Sequence, residues 1–188
     1  MQELLNSIIL VKFTDKAIDQ YIEYWSDENN EFLDRMGVNR EVFKYPAILK
    51  SKIKYMISNN LDISMSPVSY QGTIIGYIQL TDIEKEKSGV MHVSIWNKDH
   101  RGKGLGKALY IRGMQHFFKK YSLEEIIFKT PVVNVPANKL KHRLGLHPLS
   151  VCQYMNDVLK APLDAYLYKV NESKLSSIEK YYKGGSYV

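Results

Sequence analysis

The chain has 188 residues, of which 45% are hydrophobic and 24% charged, with a formal net charge of +6. This length suits one core, so we expect a single domain over residues 1–188. No run of eighteen apolar residues and no signal-peptide pattern is present, which excludes a membrane-spanning class and predicts no membrane partner. The single cysteine, Cys152, rules out an intramolecular disulfide and favours a reducing, cytoplasmic compartment.

The positive charge favours an anionic partner without choosing one. Nucleic acid, an anionic cofactor and an acidic acceptor would all gain from the positive field of a chain with a pI near 9.2. The lysines are spread along the chain rather than gathered into a run of five or more. We therefore expect no nucleic-acid partner and keep a basic nucleic-acid-binding module only as a remote alternative.

The first third of the chain predicts one strand followed by helices. Residues 8–13 form a β-branched run typical of a strand, and Thr14 or Asp15 can cap a helix that runs to Trp25. A second helix is predicted over residues 28–36, ending at Gly37. Apolar residues at helical spacing predict another helix over residues 46–57, stopped by Asn59 and Asn60.

From Leu61 the hydrophobic period changes to two, which predicts strands at 61–70, 73–80 and 88–97, the first two joined by a turn at 71–72. A helix follows over 105–121, and its internal Gly113 indicates a close approach to the backbone. A buried strand at 124–133 precedes a helix from Asn134 to Gly145, with Pro136 in its first turn. Strands at 149–155 and 164–170 and a flexible tail at 183–188 complete an α+β order.

The stretch "DHRGKGLGKAL", residues 99–109, places bare backbone N–H groups at the start of a helix. Such a loop binds anions, above all phosphate, because the helix dipole is positive there. A Walker loop is excluded because Ala108 follows Lys107 where Ser or Thr is needed. A dinucleotide fingerprint is excluded because its third glycine would fall on Lys107 or Leu109.

The motif that remains is Arg-x-x-Gly-x-Gly, read as Arg101 to Gly106, and with it the sequence resembles the GNAT superfamily of acetyl-CoA-dependent acetyltransferases. A second motif in "EEIIFKTPVVNVPANKLKHRLGL" supports the resemblance, with Asn134, Ala137 and Gly145 at the family's spacing. The motifs are similar in particular to a bacterial branch of that superfamily. The competing interpretation is that the glycines only make a turn and Asn134 only caps a helix.

The resemblance implies a three-layer α/β fold of the α+β class. Its central sheet would be mixed but mostly antiparallel, with six to seven strands and a splay between the fourth and fifth strands. The donor-binding core would span about residues 61–150. The co-substrate would be acetyl-CoA, with no metal. The residues implied to bind it are Ile95 and Trp96 through their backbone, Arg101, Gly102, Lys103, Gly104, Leu105, Gly106 and Lys107 at the pyrophosphate, and Asn134 and Asn138 beside the pantetheine arm.

The implied reaction is direct attack of a primary amine on the thioester, which needs a base for the amine and an acid for the thiolate. His92 stands where family members often carry a glutamate base, so it is either the base, directly or through water, or a residue that only fills a strand. Lys141 stands where many members have a tyrosine acid, and we expect it to be a solvated helical lysine. The other candidate acids are His142, Tyr110 and Tyr154, and Cys152 is expected to be a small buried residue rather than a nucleophile.

The resemblance places acceptor specificity in residues 15–60 and leaves the acceptor open between a small amine, an amino sugar and a peptide amine. The aromatic and acidic side chains there either line a pocket or have structural roles. In the second case the aromatic residues belong to the core and the acidic residues to a solvent-exposed helix face. They are Tyr21, Tyr24, Trp25, Phe32, Phe43, Asp27, Glu28, Glu31 and Asp34. A coenzyme A-binding regulatory protein without turnover is the alternative function, and a homodimer is possible.

Overall fold

The computed structural model describes residues 2–59, 61 and 64–183, which form seven α-helices, seven strands and short 3-10 helices at Arg40–Phe43 and Lys98–His100. The helices are α1 (Gln2–Ser7), α2 (Asp15–Ser26), α3 (Glu31–Arg35), α4 (Pro46–Ser58), α5 (Leu105–Tyr121), α6 (Val135–Arg143) and α7 (Glu172–Lys183). The strands are β1 (Ile8–Leu10), β2 (Met65–Tyr70), β3 (Thr73–Glu84), β4 (Ser88–Ile95), β5 (Glu125–Pro131), β6 (Ser150–Tyr154) and β7 (Leu163–Asn171).

The strands form one mixed sheet in the order β1-β2-β3-β4-β5-β7-β6. Neighbouring strands run antiparallel except β4 and β5, which are parallel. Residues 88–90 of β4 pair with residues 125–127 of β5, and beyond these three positions the two strands part. The mostly antiparallel sheet and the splay between the fourth and fifth strands are therefore confirmed.

Helices cover both faces of the sheet, which gives the three layers expected. On one face α5 is the central helix, and its buried Met114 and Phe117 belong to the same core cluster as Leu5 of α1, Leu144 after α6 and Leu175 of α7. The other face carries α2, α3 and α4. Their side chains form smaller clusters against the sheet, one of which contains Tyr77 of β3 and Trp96 after β4.

The predicted helix ends are confirmed by their hydrogen bonds and backbone angles. Thr14 caps α2 through its hydroxyl oxygen, which accepts from the Ala17 N–H at 3.2 Å. Gly37 follows α3 with φ of +66°, and Gly145 follows α6 with φ of +72°. Both glycines adopt the left-handed conformation that ends a helix without steric cost.

Two glycines allow a close approach within the sheet and its main helix. A Cβ on Gly113 would lie 2.1 Å from Met91 Cε, so the approach predicted for the α5 backbone is confirmed. A Cβ on Gly76 of β3 would lie 1.9 Å from the carbonyl oxygen of Ser94 on β4. The latter obstacle is backbone, which cannot move aside as a side-chain tip can.

The sequence reading differs from the structure mainly at the two ends of the chain. Helices α1 and α7 were not predicted, and the first strand ends at Leu10 rather than at residue 13. The predicted strand 61–70 begins at Met65, and residues 62 and 63, like the stop residue at 60, lie outside the described residues. Of the tail expected to be flexible, Lys183 is the last residue of α7 and residues 184–188 lie outside the described part.

Candidate active site

The glycine loop presents unpartnered backbone donors at the start of α5. Gly102 and Gly104 adopt φ values of +77° and +80°, which residues other than glycine rarely adopt. Within the described residues, no backbone N–H of residues 102–106 donates a hydrogen bond to another protein group. These N–H groups lie at the positive end of the α5 dipole, so the loop is an anion site ready for a ligand.

A cavity of about 470 Å³ begins at this loop and follows the end of β4 that has parted from β5. Its walls come from both helical layers and from the loop itself. The lining residues are Tyr24, Phe32, Arg35, Val93, Ser94, Ile95, Arg101, Gly102, Gly104, Gly106, Lys107, Tyr110, Asn134, Pro136, Ala137, Leu140 and Arg143. We call this space the donor cavity.

The donor cavity has a strongly positive lining. Arg35, Arg101, Lys107 and Arg143 line it, and no aspartate or glutamate does among the described residues. Four cations around one space repel one another unless an anion lies between them. The cavity therefore fits a ligand with more than one phosphate, which the glycine loop alone also indicates.

The structure divides the predicted coenzyme-binding residues into two groups. Those that line the donor cavity are Ile95, Arg101, Gly102, Gly104, Gly106, Lys107 and Asn134. Trp96, Lys103, Leu105 and Asn138 do not line it. Leu105 is buried in the main core and Trp96 packs in the aromatic cluster on the opposite face, so any contact from either to a ligand in this cavity would use the backbone.

The two predicted asparagines of α6 make different contacts. Asn134 caps the helix by accepting from the Ala137 N–H at 3.3 Å, and it also lines the donor cavity. Asn138 is buried and donates to the carbonyl oxygens of Pro131 and Val132 at 3.0 and 3.3 Å. Because its side-chain amide oxygen accepts from the Tyr168 hydroxyl at 3.0 Å, Asn138 holds α6 against β5 and β7.

Two further contacts shape the mouth of the cavity. The Arg101 guanidinium donates to the Ile95 carbonyl oxygen at 3.0 Å, which ties the loop to the end of β4. A Cβ on Gly106 would lie 2.6 Å from Leu140 Cδ1, so the bare backbone of Gly106 lets α6 come close to α5. The loop and the two helices are thereby held around the same space.

The expectation that Lys141 is a solvated helical lysine is wrong. Its side chain is only 1% exposed, and its ammonium lies 4.7 Å from the ring centre of Tyr110, 5.1 Å from Phe128 and 5.5 Å from Tyr168. Its Nζ donates to the Tyr110 hydroxyl oxygen at 2.8 Å. Burial lowers the pKa of Lys141 from 10.5 to about 7. The α6 face that carries Asn138 also carries Lys141, and that face is turned into the protein.

His92 lies on β4 with its side chain half-buried and does not line the donor cavity. Its Nε2 is 2.9 Å from the Thr81 hydroxyl oxygen, and its ring stacks on Tyr154 with centres 6.5 Å apart. Burial lowers the pKa of His92 to about 4, opposed by the Asp82 carboxylate and assisted to a smaller extent by the cations Lys141 and Lys129. The imidazole is therefore neutral at pH 7, and its role as a base remains a prediction.

A second cavity of about 560 Å³ adjoins the first, because Tyr24 lines both. We call it the second cavity. Its lining residues are Gln20, Glu23, Tyr24, Ser26, Asp27, Asn30, Ile74, Trp96, Asn97 and Lys98. Among the described residues, its two carboxylates, Glu23 and Asp27, outnumber its one cation, Lys98, whereas four cations line the donor cavity.

The aromatic candidates of the N-terminal helices pack mainly against one another. Trp25 stacks on Phe43 at 5.6 Å, and Tyr21 contacts Trp96 edge-on at 6.3 Å. Burial raises the pKa of Tyr21 to about 12. Tyr24 and Phe32 are the two aromatic candidates that reach the donor cavity.

The remaining candidates are dispersed. Asp34 pairs with Arg40 at 2.7 Å, while Glu28 and Glu31 are exposed. His142 is exposed and Cys152 is half-buried on β6, whereas the Tyr154 hydroxyl oxygen accepts from Asn156. Over the described ranges, no cluster of three or more histidine, cysteine or acidic side chains could hold a metal ion. In the same ranges no helix has the length and apolar character needed to cross a membrane.

The sequence reading missed several residues of the donor cavity. Pro136, Leu140 and Arg143 follow one another at intervals of four and three, which places them on one face of α6. That spacing, counted from the predicted start of the helix, could have identified them. Arg35 gave no such signal, because its place in the cavity lining depends on how α3 packs against the sheet.

Comparison with known proteins agrees with this geometry. The model of the acetyltransferase (GNAT) family matches residues 19–146, more than half of the chain, so the chain belongs to the acetyltransferase (GNAT) family. No curated protein sequence matches it significantly.

Solved structures share the fold at low sequence identity. The microcin C7 self-immunity acetyltransferase MccE, solved with acetyl-CoA and AMP, has a TM-score of 0.71 at 17% identity, with 90% of this chain and 94% of that chain covered. The spermidine N-acetyltransferase of Vibrio cholerae, solved with CoA and spermine, has a TM-score of 0.71 at 18% identity, covering 91% and 99%. Mycobacterium smegmatis RimJ, solved with CoA-disulfide, has a TM-score of 0.71 at 14% identity, covering 95% and 89%.

Proposed function

We propose that this protein is an acetyl-CoA-dependent N-acetyltransferase that transfers the acetyl group to a primary amine by direct attack. The observation that carries the proposal is the donor cavity. It joins unpartnered N–H groups at the start of α5 to the unpaired end of β4. A ligand with phosphates at one end and an amide-bearing arm at the other matches these two regions.

The residues present fit coenzyme A by their chemistry. The loop amides of residues 102–106 and the cations Arg101, Lys107 and Arg143 would hold its phosphates, and β4 backbone groups near Ile95 would hold its arm. When bound, the co-substrate supplies an activated thioester. The apolar side chains of Val93 and Leu140 would keep water from that thioester.

We infer that the amine acceptor is cationic and enters through the second cavity. Glu23 and Asp27 can pair with an ammonium group and outnumber Lys98, the one cation of the lining among the described residues, and Tyr24 and Trp96 add aromatic side chains to the wall. Tyr24 lines both cavities, so an amine bound beside it would lie next to the donor cavity. The V. cholerae relative, solved with spermine, is an example of a polyamine-binding protein of this fold.

The test measures thiol release from acetyl-CoA with a panel of polyamines, amino sugars and peptides, together with thermal stabilisation by acetyl-CoA. We expect stabilisation, and turnover that is fastest with polycationic amines. Replacing both carboxylates, Glu23→Gln with Asp27→Asn, should raise the KM for such amines about tenfold, because each lost ion pair weakens binding. The matched control is Glu28→Gln, an exposed carboxylate outside the cavity lining.

The outcomes separate the alternatives. Stabilisation without thiol release for any amine would contradict the enzyme and support a coenzyme A-binding regulator. Stabilisation by DNA or ATP but not by acetyl-CoA would contradict both and support the nucleic-acid or nucleotide alternative.

A further inference from the structure

We propose that Tyr110 donates the proton that the departing thiolate of coenzyme A takes up, and that the buried Lys141 positions Tyr110 and resupplies its proton. The inference rests on the proposed acetyltransferase function. It gives the chain a proton donor built from two helices, α5 and α6. Tyr110 would be the catalytic residue and Lys141 the positioning residue.

The first observation is the position of Tyr110. It lies on α5, one and a half turns after the glycine loop, and lines the donor cavity although its side chain is only 7% exposed. Its ring packs against Phe128 of β5 with centres 5.3 Å apart, so its orientation is fixed. Tyr110 is therefore held in the wall of the donor cavity, with its hydroxyl group next to Lys141.

The second observation is the direction of the hydrogen bond. The Lys141 ammonium can only donate, so at 2.8 Å the Tyr110 oxygen must accept. The hydrogen of that hydroxyl is then left for another acceptor. No other hydrogen bond of the Tyr110 hydroxyl occurs in the described part of the chain, and the cavity is the open space beside the ring.

The third observation is the surroundings of Lys141. Three aromatic rings surround its ammonium: Tyr110 from α5, Phe128 from β5 and Tyr168 from β7. Within the described residues no carboxylate forms an ion pair with it, and Tyr110 is its single hydrogen-bond partner. An unpaired buried lysine costs stability, and an apolar side chain of similar length would fill the same space without that cost.

The ionisation of the pair agrees with this geometry. Burial lowers the pKa of Lys141 to about 7, so its ammonium can release a proton near neutral pH. Burial raises the pKa of Tyr110 well above 10, so the phenol keeps its proton until a stronger base forms beside it. A thiolate leaving an acyl carbon in a water-poor cavity is such a base.

The proton balance closes. The amine, as RNH₂ after one proton has gone to solvent, attacks the acetyl carbon, and the C–S bond breaks as the C–N bond forms. Sulfur takes the phenolic proton of Tyr110, whose oxygen takes a proton from the Lys141 ammonium. The second proton of the nitrogen, lost as the amide forms, restores the charge on Lys141 through solvent. The net reaction converts RNH₃⁺ and acetyl-CoA into the acetamide, CoA-SH and one H⁺.

The kinetic test compares Tyr110→Phe and Lys141→Met with the wild type and with Tyr121→Phe. The last variant removes a buried hydroxyl from the same helix at a position that does not line the donor cavity. We expect Tyr110→Phe to lower kcat about 100-fold with KM for acetyl-CoA nearly unchanged, the size of effect that a general acid supplies. Lys141→Met should lower kcat and abolish the decline of kcat above pH 7, which the loss of the Lys141 proton causes in the wild type.

A second readout needs neither activity nor coenzyme. In ligand-free protein carrying ¹³C-labelled lysine, one ε-carbon signal should titrate near pH 7 and be missing from Lys141→Met. A wild-type protein in which every lysine titrates above pH 9 would overturn the inference. So would a Tyr110→Phe variant as fast as Tyr121→Phe, while normal wild-type turnover would leave the proposed function intact. Absence of wild-type turnover with any amine would overturn both.

Discussion

Lys141 shows how one side chain can be costly for the fold. A lysine whose pKa falls from 10.5 to about 7 on folding binds its proton less tightly in the native state than in the unfolded state. The cost is fully present below pH 7 and fades as the pH rises from 7 to 10.5, so the free energy of unfolding should rise over that window. Each pKa unit corresponds to about 1.4 kcal/mol, which makes the cost on the order of 5 kcal/mol.

We therefore expect Lys141→Met to be more stable than the wild type by a few kcal/mol at pH 7, with the difference shrinking towards pH 10.5. Denaturant unfolding at a series of pH values measures it, and the difference between the two proteins removes the titration of all other groups. Lys139→Met, an exposed lysine of the same helix, is the control and should show no such pH-dependent gain. A constant difference across the pH range would contradict the buried ammonium.

His92 should affect the pH dependence of activity, in a more acidic range than Lys141. Its pKa of about 4 means that a base role would produce an acid limb of kcat/KM near pH 4 rather than near 6.5. We expect His92→Gln to lower kcat/KM roughly 100-fold and to remove that limb. An unchanged pH profile, equal to that of the exposed-histidine control His147→Gln, would mean that His92 only fills its strand position.

At the level of elements, the contrast between two glycines gives the clearest prediction. Gly76→Ala forces a Cβ against the backbone of Ser94, and we expect it to lower the free energy of unfolding by about 3 kcal/mol. Gly113→Ala meets the flexible tip of Met91 and gains about 1 kcal/mol in helix propensity, so its net cost should be smaller. Equal losses in denaturant unfolding would contradict the rigid β3–β4 contact.

Elements with a strong local signal were predictable from the sequence. The long apolar face of α5, the capping residues Thr14 and Asn134, and the alternating strands β2 to β4 all follow from spacing alone. Helix α7 was missed although Leu175 and Ile178 are buried at helical spacing, because its serines and lysines dilute the pattern. The six residues of α1 are too few for a period to show.

The site was predictable where it depends on the backbone and unpredictable where it depends on packing. The glycine loop needs its sequence, so Gly102, Gly104 and Gly106 indicate it directly. Lys141 is charged, and a lone charged residue on a short helix is more often exposed. Its burial results from the packing of α5, β5 and β7 around it, which the spacing of residues in α6 does not indicate. The same holds for Arg35, which lines the donor cavity from the other helical layer.

On the scale of the whole molecule, the homodimer remains a prediction. Strand β6 is an edge of the sheet, and Val151, 57% exposed, lies on it with Leu149 and Met155 exposed at its ends. Edge strands with apolar side chains tend to pair with another chain. We expect a solution mass of twice 21.8 kDa, and a monomer for Val151→Lys.

The control uses the opposite edge. Ile9 of β1 is 58% exposed, so Ile9→Lys adds the same charge at an equally exposed edge position. We expect this variant to keep the solution mass of the dimer. Light scattering after gel filtration measures all three proteins. A wild-type mass of 21.8 kDa would contradict the dimer.

The parting of β4 from β5 after three paired positions gives the sheet two edges in its interior as well as the two outside. The unpaired N–H and C=O groups of an open edge can pair with another chain and cause aggregation. A molecule bound along the edge covers these groups. Binding to the native state alone adds stability that grows with the logarithm of ligand concentration. We therefore expect the lifetime of this protein in a cell to follow the supply of its own co-substrate.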